Sequence, residues 1–94
     1  MVTVPDGMIS EWRDPSGTVT IVEVPYHPDW VGRPLRDLEG AIGARSAFVV
    51  RFGNGLLPTA DTIVQDGDQV YAAALSGSLL EVSHRAGLSP VDGV

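Results

Sequence analysis

The segment from Thr18 to Leu38 limits the fold more than any other stretch. Between Thr18 and Val24 every residue except Glu23 is β-branched, the side-chain type that suits a pleated surface. Pro25 and Pro28 follow at once. Each removes a backbone donor and fixes φ, so the strand stops and an irregular link begins. Pro34 fits the first turn of a short helix, where its missing N–H costs nothing. Leu35 and Leu38, three apart, share one face of that helix. The pattern predicts strand, proline-rich link and helix over 34–39. Such a unit cannot bury its own strand, so the rest of the chain must supply partners for it.

Those partners can be read on both sides. Residues 8–13 alternate apolar and polar, as a half-buried strand does. Asp14-Pro15-Ser16-Gly17 is a turn by composition, with Pro at its second position and Gly closing it. Strands over 8–13 and 18–24 therefore form a hairpin. Residues 39–44 are punctuated by glycine and either extend the helix or form a loop. A strong strand pattern covers 46–52. Gly53-Asn54-Gly55 predicts a tight turn, because these residues tolerate positive φ, and 56–58 is the short return strand, ended by Pro58. Asp66-Gly67-Asp68 is a second turn, with Gly67 at positive φ. Residues 69–75 are apolar on both faces, the pattern of a central strand covered on both sides.

Ser78 and Glu81 fit the spacing of a capping box at the start of a last helix over 78–86. Leu79, Val82 and Ala86 form one apolar stripe on it, and Gly87 ends it as a C′ residue. The fold class expected is α+β: a small, mainly antiparallel β-sheet of about five short strands with two short helices. Residues 1–7 read as a flexible lead-in or interdomain segment, 8–87 as the domain body and 88–94 as a frayed tail.

Length and charge bound the function. At 94 residues the chain holds one small domain. A domain of this size buries roughly 60–70% of its unfolded surface, so its core is thin, and dimerisation is a common supplement. The sequence has no Cys, which removes disulfides and thiolate metal sites. No apolar run approaches the roughly 20 residues of a membrane span, and no signal-peptide pattern stands at the start, so the compartment expected is the cytoplasm. Net charge is −6 and all six cations are Arg. An acidic domain repels phosphate backbones, which argues against nucleic acid as a partner.

Several phrases together resemble a known family. Glu23-Val24-Pro25, then Val31-Gly32-Arg33-Pro34-Leu35-Arg36-Asp37-Leu38, then the strand with Val49-Val50, then Asp61-Thr62-Ile63-Val64-Gln65-Asp66-Gly67-Asp68 are similar in order and spacing to the RCK C-terminal domain, also called TrkA-C. Gly32, Leu35, Leu38, Pro58, Asp61, Thr62, Gly67 and Asp68 fall on that family's motif positions, as structural residues. The resemblance runs from about Ile9 to Ala86. It implies a non-enzymatic, cytoplasmic regulatory domain of a potassium uptake or channel system, peripheral to the inner face of the membrane through its transporter partner. It also implies pairing into a homodimer and work beside a nucleotide-binding RCK domain. Family members sense cyclic di-AMP or a divalent cation in different branches, so a regulatory nucleotide or divalent cation is the ligand class implied. Ala47 and Phe48 stand where cyclic di-AMP binders carry polar residues. No G-x-G-x-x-G run follows a strand, so a nucleotide-binding half would lie outside this sequence, in the same polypeptide or in a partner.

The residues with chemical potential are few. Arg45 and Arg51 bracket the strand at 46–52, and Asn54 tops its turn. Guanidinium forks suit phosphate, so these three are the candidate ligand-binding residues. Exposed Arg on a strand also guards against edge pairing. His27 and His84 read as surface residues, and the spacing of neither suggests a metal site. Asp66 and Asp68 lack the continuation of a calcium loop, and Asp68 reads as a turn residue that caps the backbone. No nucleophile elbow is present. Trp12, Trp30 and Phe52 either fill the small core or cover an interface, where aromatic residues are enriched. A stand-alone small-molecule-binding module unconnected to ion transport is the alternative reading, and a degenerate enzyme accessory domain is a third.

Overall fold

The central strand is Gln69–Leu75 (β5), flanked on one side by Val19–Glu23 (β2) and on the other by Arg45–Arg51 (β3). Ile9–Arg13 (β1) and Asn54–Leu56 (β4) close the two edges, giving a five-stranded sheet in the order β1-β2-β5-β3-β4 with every neighbour antiparallel. Helices Leu35–Ile42 (α1) and Leu79–Ala86 (α2) pack on each other, α1 against β3 and α2 against β5. These elements come from a computed structural model that describes residues 9–90. The lead-in expected at 1–7, Met8 and the end of the tail at 91–94 lie outside the described residues.

The β1–β2 turn forms as its composition requires. The Asp14 carboxylate accepts from the backbone N–H of Ser16 at 3.1 Å and of Val19 at 2.8 Å, and Gly17 sits at φ 75°. These bonds hold the Asp14 carboxyl below the usual range, the Ser16 hydroxyl contributing most. A bulge near Glu11 interrupts the β1–β2 register between Ser10 and Trp12, and another interrupts β3–β5 between Ser46 and Phe48. Each adds a residue to one strand and increases the local twist.

The core lies between the helices and one face of the sheet. Val22, Val49, Val70 and Ala72 meet Leu35, Leu38, Leu79 and Val82 there, all at most 1% exposed. The predicted stripes hold: Leu35 and Leu38 on α1, and Leu79, Val82 and Ala86 on α2, are buried. Thr20 and Ser76, both buried polar residues, satisfy each other through a 2.7 Å hydroxyl–hydroxyl bond, which avoids the cost of an unpaired buried hydroxyl.

Several local expectations need correction. The β3–β4 turn is centred on Phe52 and Gly53, at φ 51° and 77°, and not on Gly53-Asn54-Gly55. Asn54 is already paired with Arg51, and β4 covers Asn54–Leu56 in place of 56–58. Sliding the turn by one residue would swap the faces of the strand; the observed register keeps Val49 in the core opposite Leu56. Pro34 is the residue just before α1, in extended conformation, because its backbone also bridges Ile63 across to the following loop. Residues 39–42 continue the helix, which ends at Gly43 in the left-handed conformation. The capping box at α2 does not form: the Ser78 side chain makes no cap bond, since Ser76–Ser78 is a 3-10 turn leading into the helix, and Glu81 pairs with Arg85 at 2.6 Å. Gly87 follows α2 at φ −75° and not as a left-handed C′ residue. Leu88–Pro90 do not fray. The Leu88 carbonyl accepts from Trp30 Nε1 at 3.0 Å, and the Ser89 hydroxyl donates to Asp29 at 2.6 Å.

Candidate functional site

The two motif segments turn out to be one structural unit. Gly32, at φ 92°, lets the chain turn so that its N–H donates to the Val64 carbonyl at 2.8 Å. Val64 N–H returns a bond to Arg33 at 2.9 Å, Leu35 N–H bonds Thr62 at 2.8 Å and Arg36 N–H bonds Ala60 at 3.0 Å. The free N–H groups at the start of α1 are therefore satisfied by the 60–64 loop and not by a side-chain cap. Thr62 shapes that loop by accepting from Thr59 N–H at 2.9 Å. The Arg36 guanidinium pairs with Asp61 across the same junction. Asp61 and Thr62 thus hold the loop that receives the Gly32–Leu35 segment.

A second knot joins this loop to the sheet. Gly67, at φ 85°, turns the chain so that the Asp68 side chain points back. The Asp68 carboxylate accepts from Arg51 Nε at 2.9 Å, Arg51 Nη2 at 2.8 Å and Gln65 N–H at 2.9 Å. Its side chain is 2% exposed, that of Arg51 22%. The Arg51 guanidinium, against the cost of burial, holds the Asp68 carboxyl below the usual carboxylate range. Arg51 also donates to the Ile63 carbonyl at 3.1 Å. Tyr26 Oη donates to the Asp68 carbonyl at 2.6 Å, and burial followed by the nearby Asp68 charge raises the Tyr26 hydroxyl above its ordinary pKa. The arrangement fixes the link after β2, the end of β3 and the 61–68 loop to one another.

The three candidate ligand residues do not converge within one chain. Arg51 and Asn54 are direct cross-strand partners, but the Arg51 fork is occupied by Asp68. Asn54 is exposed and donates to the Phe52 carbonyl at 3.3 Å. Arg45 stands at the far end of β3, about 20 Å away at roughly 3.3 Å per residue. It is exposed and lines a groove of about 620 Å³ with Glu39, Gly43 and Leu75, at the end of α1. His27 caps the Pro28–Trp30 turn by accepting from Asp29 N–H at 3.0 Å. Among the described residues no group of three or more His, Cys, Asp or Glu could hold a metal ion. Of the three aromatic residues left open, Trp30 is core, whereas Trp12 and Phe52 are exposed.

One groove went unread in the sequence. It measures about 490 Å³ and lies between α1 and the end of α2, with Trp30 and Leu88 as apolar walls and Arg33, Asp37 and Arg85 around them. Arg33 was visible inside the helix motif, but no spacing rule brings residue 33 next to residue 85. No helix among the described residues is long and apolar enough to cross a membrane.

The family model described as the TrkA-C domain matches residues 19–87. The Trk system potassium uptake protein TrkA of Streptomyces coelicolor is 41% identical over 68 residues, a match covering 72% of this chain and 30% of that protein. The chain thus spans less than a third of the length of that relative. Among solved structures, the RCK domain of GsuK superposes with a TM-score of 0.68 at 18% identity, over 88% of this chain and 19% of that one. The GsuK channel bound to NAD gives 0.67 at 20% identity, over 97% and 17%. These likenesses show a shared fold.

Proposed function

The chain belongs to the TrkA-C domain family, and from that membership we propose that it is a non-enzymatic regulatory module of a potassium transport system. The observation that carries this reading is the 41% identity to a Trk potassium uptake protein over 68 residues. The family model spans residues 19–87, which contain the segments that form both hydrogen-bonded knots. In this reading residues 8–87 are the domain body, 1–7 join it to a nucleotide-binding RCK domain, and 88–94 are its tail. The domain works at the cytoplasmic face of the membrane through its transporter partner, and pairs with a second copy of itself.

Regulation by a small ligand follows the logic of population shift. A ligand held between paired copies favours one relative orientation, and the attached domains transmit it. A nucleotide is the ligand class supported best, because one structure of the same fold is the GsuK channel bound to NAD. Arg45 and Asn54, whose polar groups are exposed, are the residues we assign to such contacts, and Arg51 holds the frame beneath them.

The experiment that tests the function is a graft. A bacterial strain that depends on TrkA for growth in low-potassium medium is given a TrkA whose own C-terminal domain is exchanged for this chain. Restored growth and potassium uptake are expected. A stable, accumulating hybrid that restores neither would overturn the transport reading and favour the stand-alone binding module.

A further inference from the structure

We infer that the groove between α1 and the strap following α2 is a binding site for a small carboxylate with an apolar body, held by Arg33 and Arg85. The inference goes beyond the transport reading and does not depend on it. The groove measures about 490 Å³, within the roughly 300–1,000 Å³ usual for small-ligand sites. It forms within one copy of the chain, and Arg45, Arg51 and Asn54 are not among its walls. Its outer wall is already built. Trp30 Nε1 donates to the Leu88 carbonyl at 3.0 Å and the Ser89 hydroxyl donates to Asp29 at 2.6 Å, so residues 88–90 are pinned in place. Trp30 spends its one polar group on that bond and offers only carbon to the groove. Leu88, 45% exposed, and Pro90 extend the apolar wall.

Charge identifies the occupant. In a chain of net charge −6, two of the six arginines meet in this groove. Arg36, Arg51 and Arg85 each face a carboxylate, of Asp61, Asp68 and Glu81. Arg33 is partly buried, and among the described residues its guanidinium makes no hydrogen bond or ion pair. Its backbone is fixed: the N–H donates to the Trp30 carbonyl at 3.1 Å, and the carbonyl accepts from Val64 N–H at 2.9 Å. Arg85 gives Nη2 to Glu81 at 2.6 Å and keeps further donors of its fork. Against these two cations the lining holds one acid, Asp37. The positive excess suits a monoanion, and a guanidinium fork matches a carboxylate through two parallel bonds.

The floor of the groove carries an independent mark. Gly40 lies inside α1, where glycine weakens a helix relative to alanine. Neither backbone nor packing requires it: its φ is not positive, and a Cβ there would have no atom within 4 Å. With Ala41 beside it in the lining, the bare backbone keeps the floor low. Close approach of a ligand to the main chain is one of the uses of glycine. A carboxylate held here ties Arg33, just ahead of α1, to Arg85 in the last turn of α2, and so braces the two helices against each other.

The test is an NMR titration of the isotope-labelled 94-residue chain with hydrocinnamate, a carboxylate on a phenyl body. Saturable shifts are expected at the Trp30 indole N–H and at the backbone N–H groups of Gly40, Ala41 and Leu88, with Kd on the order of 1 mM for so small a ligand. Neutral hydrocinnamamide, which keeps the body, and acetate, which keeps the charge, should each bind at least about tenfold more weakly. Arg33→Gln should weaken hydrocinnamate by at least about tenfold. Gly40→Leu should fill the floor and abolish the saturable shifts while melting no lower than the native chain, since leucine favours a helix more than glycine does. If Arg33→Gln does not fold, Gly40→Leu decides alone. Amide binding as tight as that of the acid would overturn the role of the arginines. Saturable binding that neither variant moves would place the acid elsewhere and overturn the groove as its site. A native chain without saturable shifts would overturn the inference outright.

Discussion

Replacing Asp68 by Asn keeps the side-chain shape and removes the charge. In the folded protein this carboxylate receives two bonds from Arg51 and one from Gln65 N–H. An Asn can keep one oxygen as acceptor, but turns an NH₂ group toward a guanidinium that only donates. Hydrogen bonds to charged groups contribute about 1.5–3 kcal/mol each, and breaking a fully buried ion pair costs about 3–5 kcal/mol. Arg51 is 22% exposed and can turn partly to water, so a loss of about 2–3 kcal/mol is expected. For a domain of this length that lowers Tm by about 10–20 °C. Urea titrations and thermal melts at one fixed protein concentration measure it, the concentration mattering if the chain dimerises.

The same pair makes stability depend on pH. The Asp68 carboxyl is depressed in the folded state relative to about 3.9 in an unfolded chain. Its contribution is therefore complete above the unfolded value and is lost as pH falls through the lower, folded one. Native protein should lose this increment in the acid range below about pH 4, and Asp68→Asn should lack that part of the slope. An Asp68→Asn variant within about 0.5 kcal/mol of native, the usual scatter of surface changes, with an unchanged acid slope, would refute the claim that this pair holds the 61–68 loop to β3.

Two further outcomes follow from backbone geometry. Gly32→Ala forces a Cβ onto φ 92° and should cost about 1–3 kcal/mol, read as a fall in the urea midpoint; no atom lies within 4 Å of that Cβ, so a neutral result would mean the turn is not fixed by the Val64 bond. Phe52→Asn should raise stability by up to about 1 kcal/mol, because Phe52 is an 87% exposed residue at positive φ in a turn position that Asn favours; thermal melts that show a loss would indicate that the Phe52 side chain is needed for packing.

The elements that the sequence displayed well are those whose evidence is local. The β-branched run at 18–24, the Asp14–Gly17 turn, the Leu35–Leu38 pair and the Leu79–Val82–Ala86 stripe each declare themselves within a few residues, and each forms. The elements misread are those where a local preference competes with a distant partner. Gly53-Asn54-Gly55 has suitable chemistry for a turn, yet the pairing of Val49 with Leu56 moves the turn onto Phe52. Ser78 and Glu81 have capping-box spacing, yet Ser76 is tied to Thr20 and the helix is entered through a tighter turn. Leu88–Pro90 carry no periodic signal, yet Trp30 and Asp29 anchor them.

The candidate site divides the same way. Asp68 was legible as a turn residue capping the backbone, and its bond from Gln65 N–H is that role. Its salt bridge was not, because Arg51 is 17 residues away and no repeat links the two. Likewise Arg45, Arg51 and Asn54 read as candidate phosphate contacts, but the Arg51 guanidinium is taken by the buried Asp68 carboxylate. Residue type and spacing thus determined the class of fold, the order of its strands and helices, and the acidic, cysteine-free composition of the chain. Tertiary structure alone decided that β5 runs between β2 and β3, that the motif segments bind each other, and that Arg51 pairs with Asp68. Backbone propensity and periodicity act over a handful of residues, whereas register, ion-pair choice and the covering of a face are settled by groups far apart in the chain.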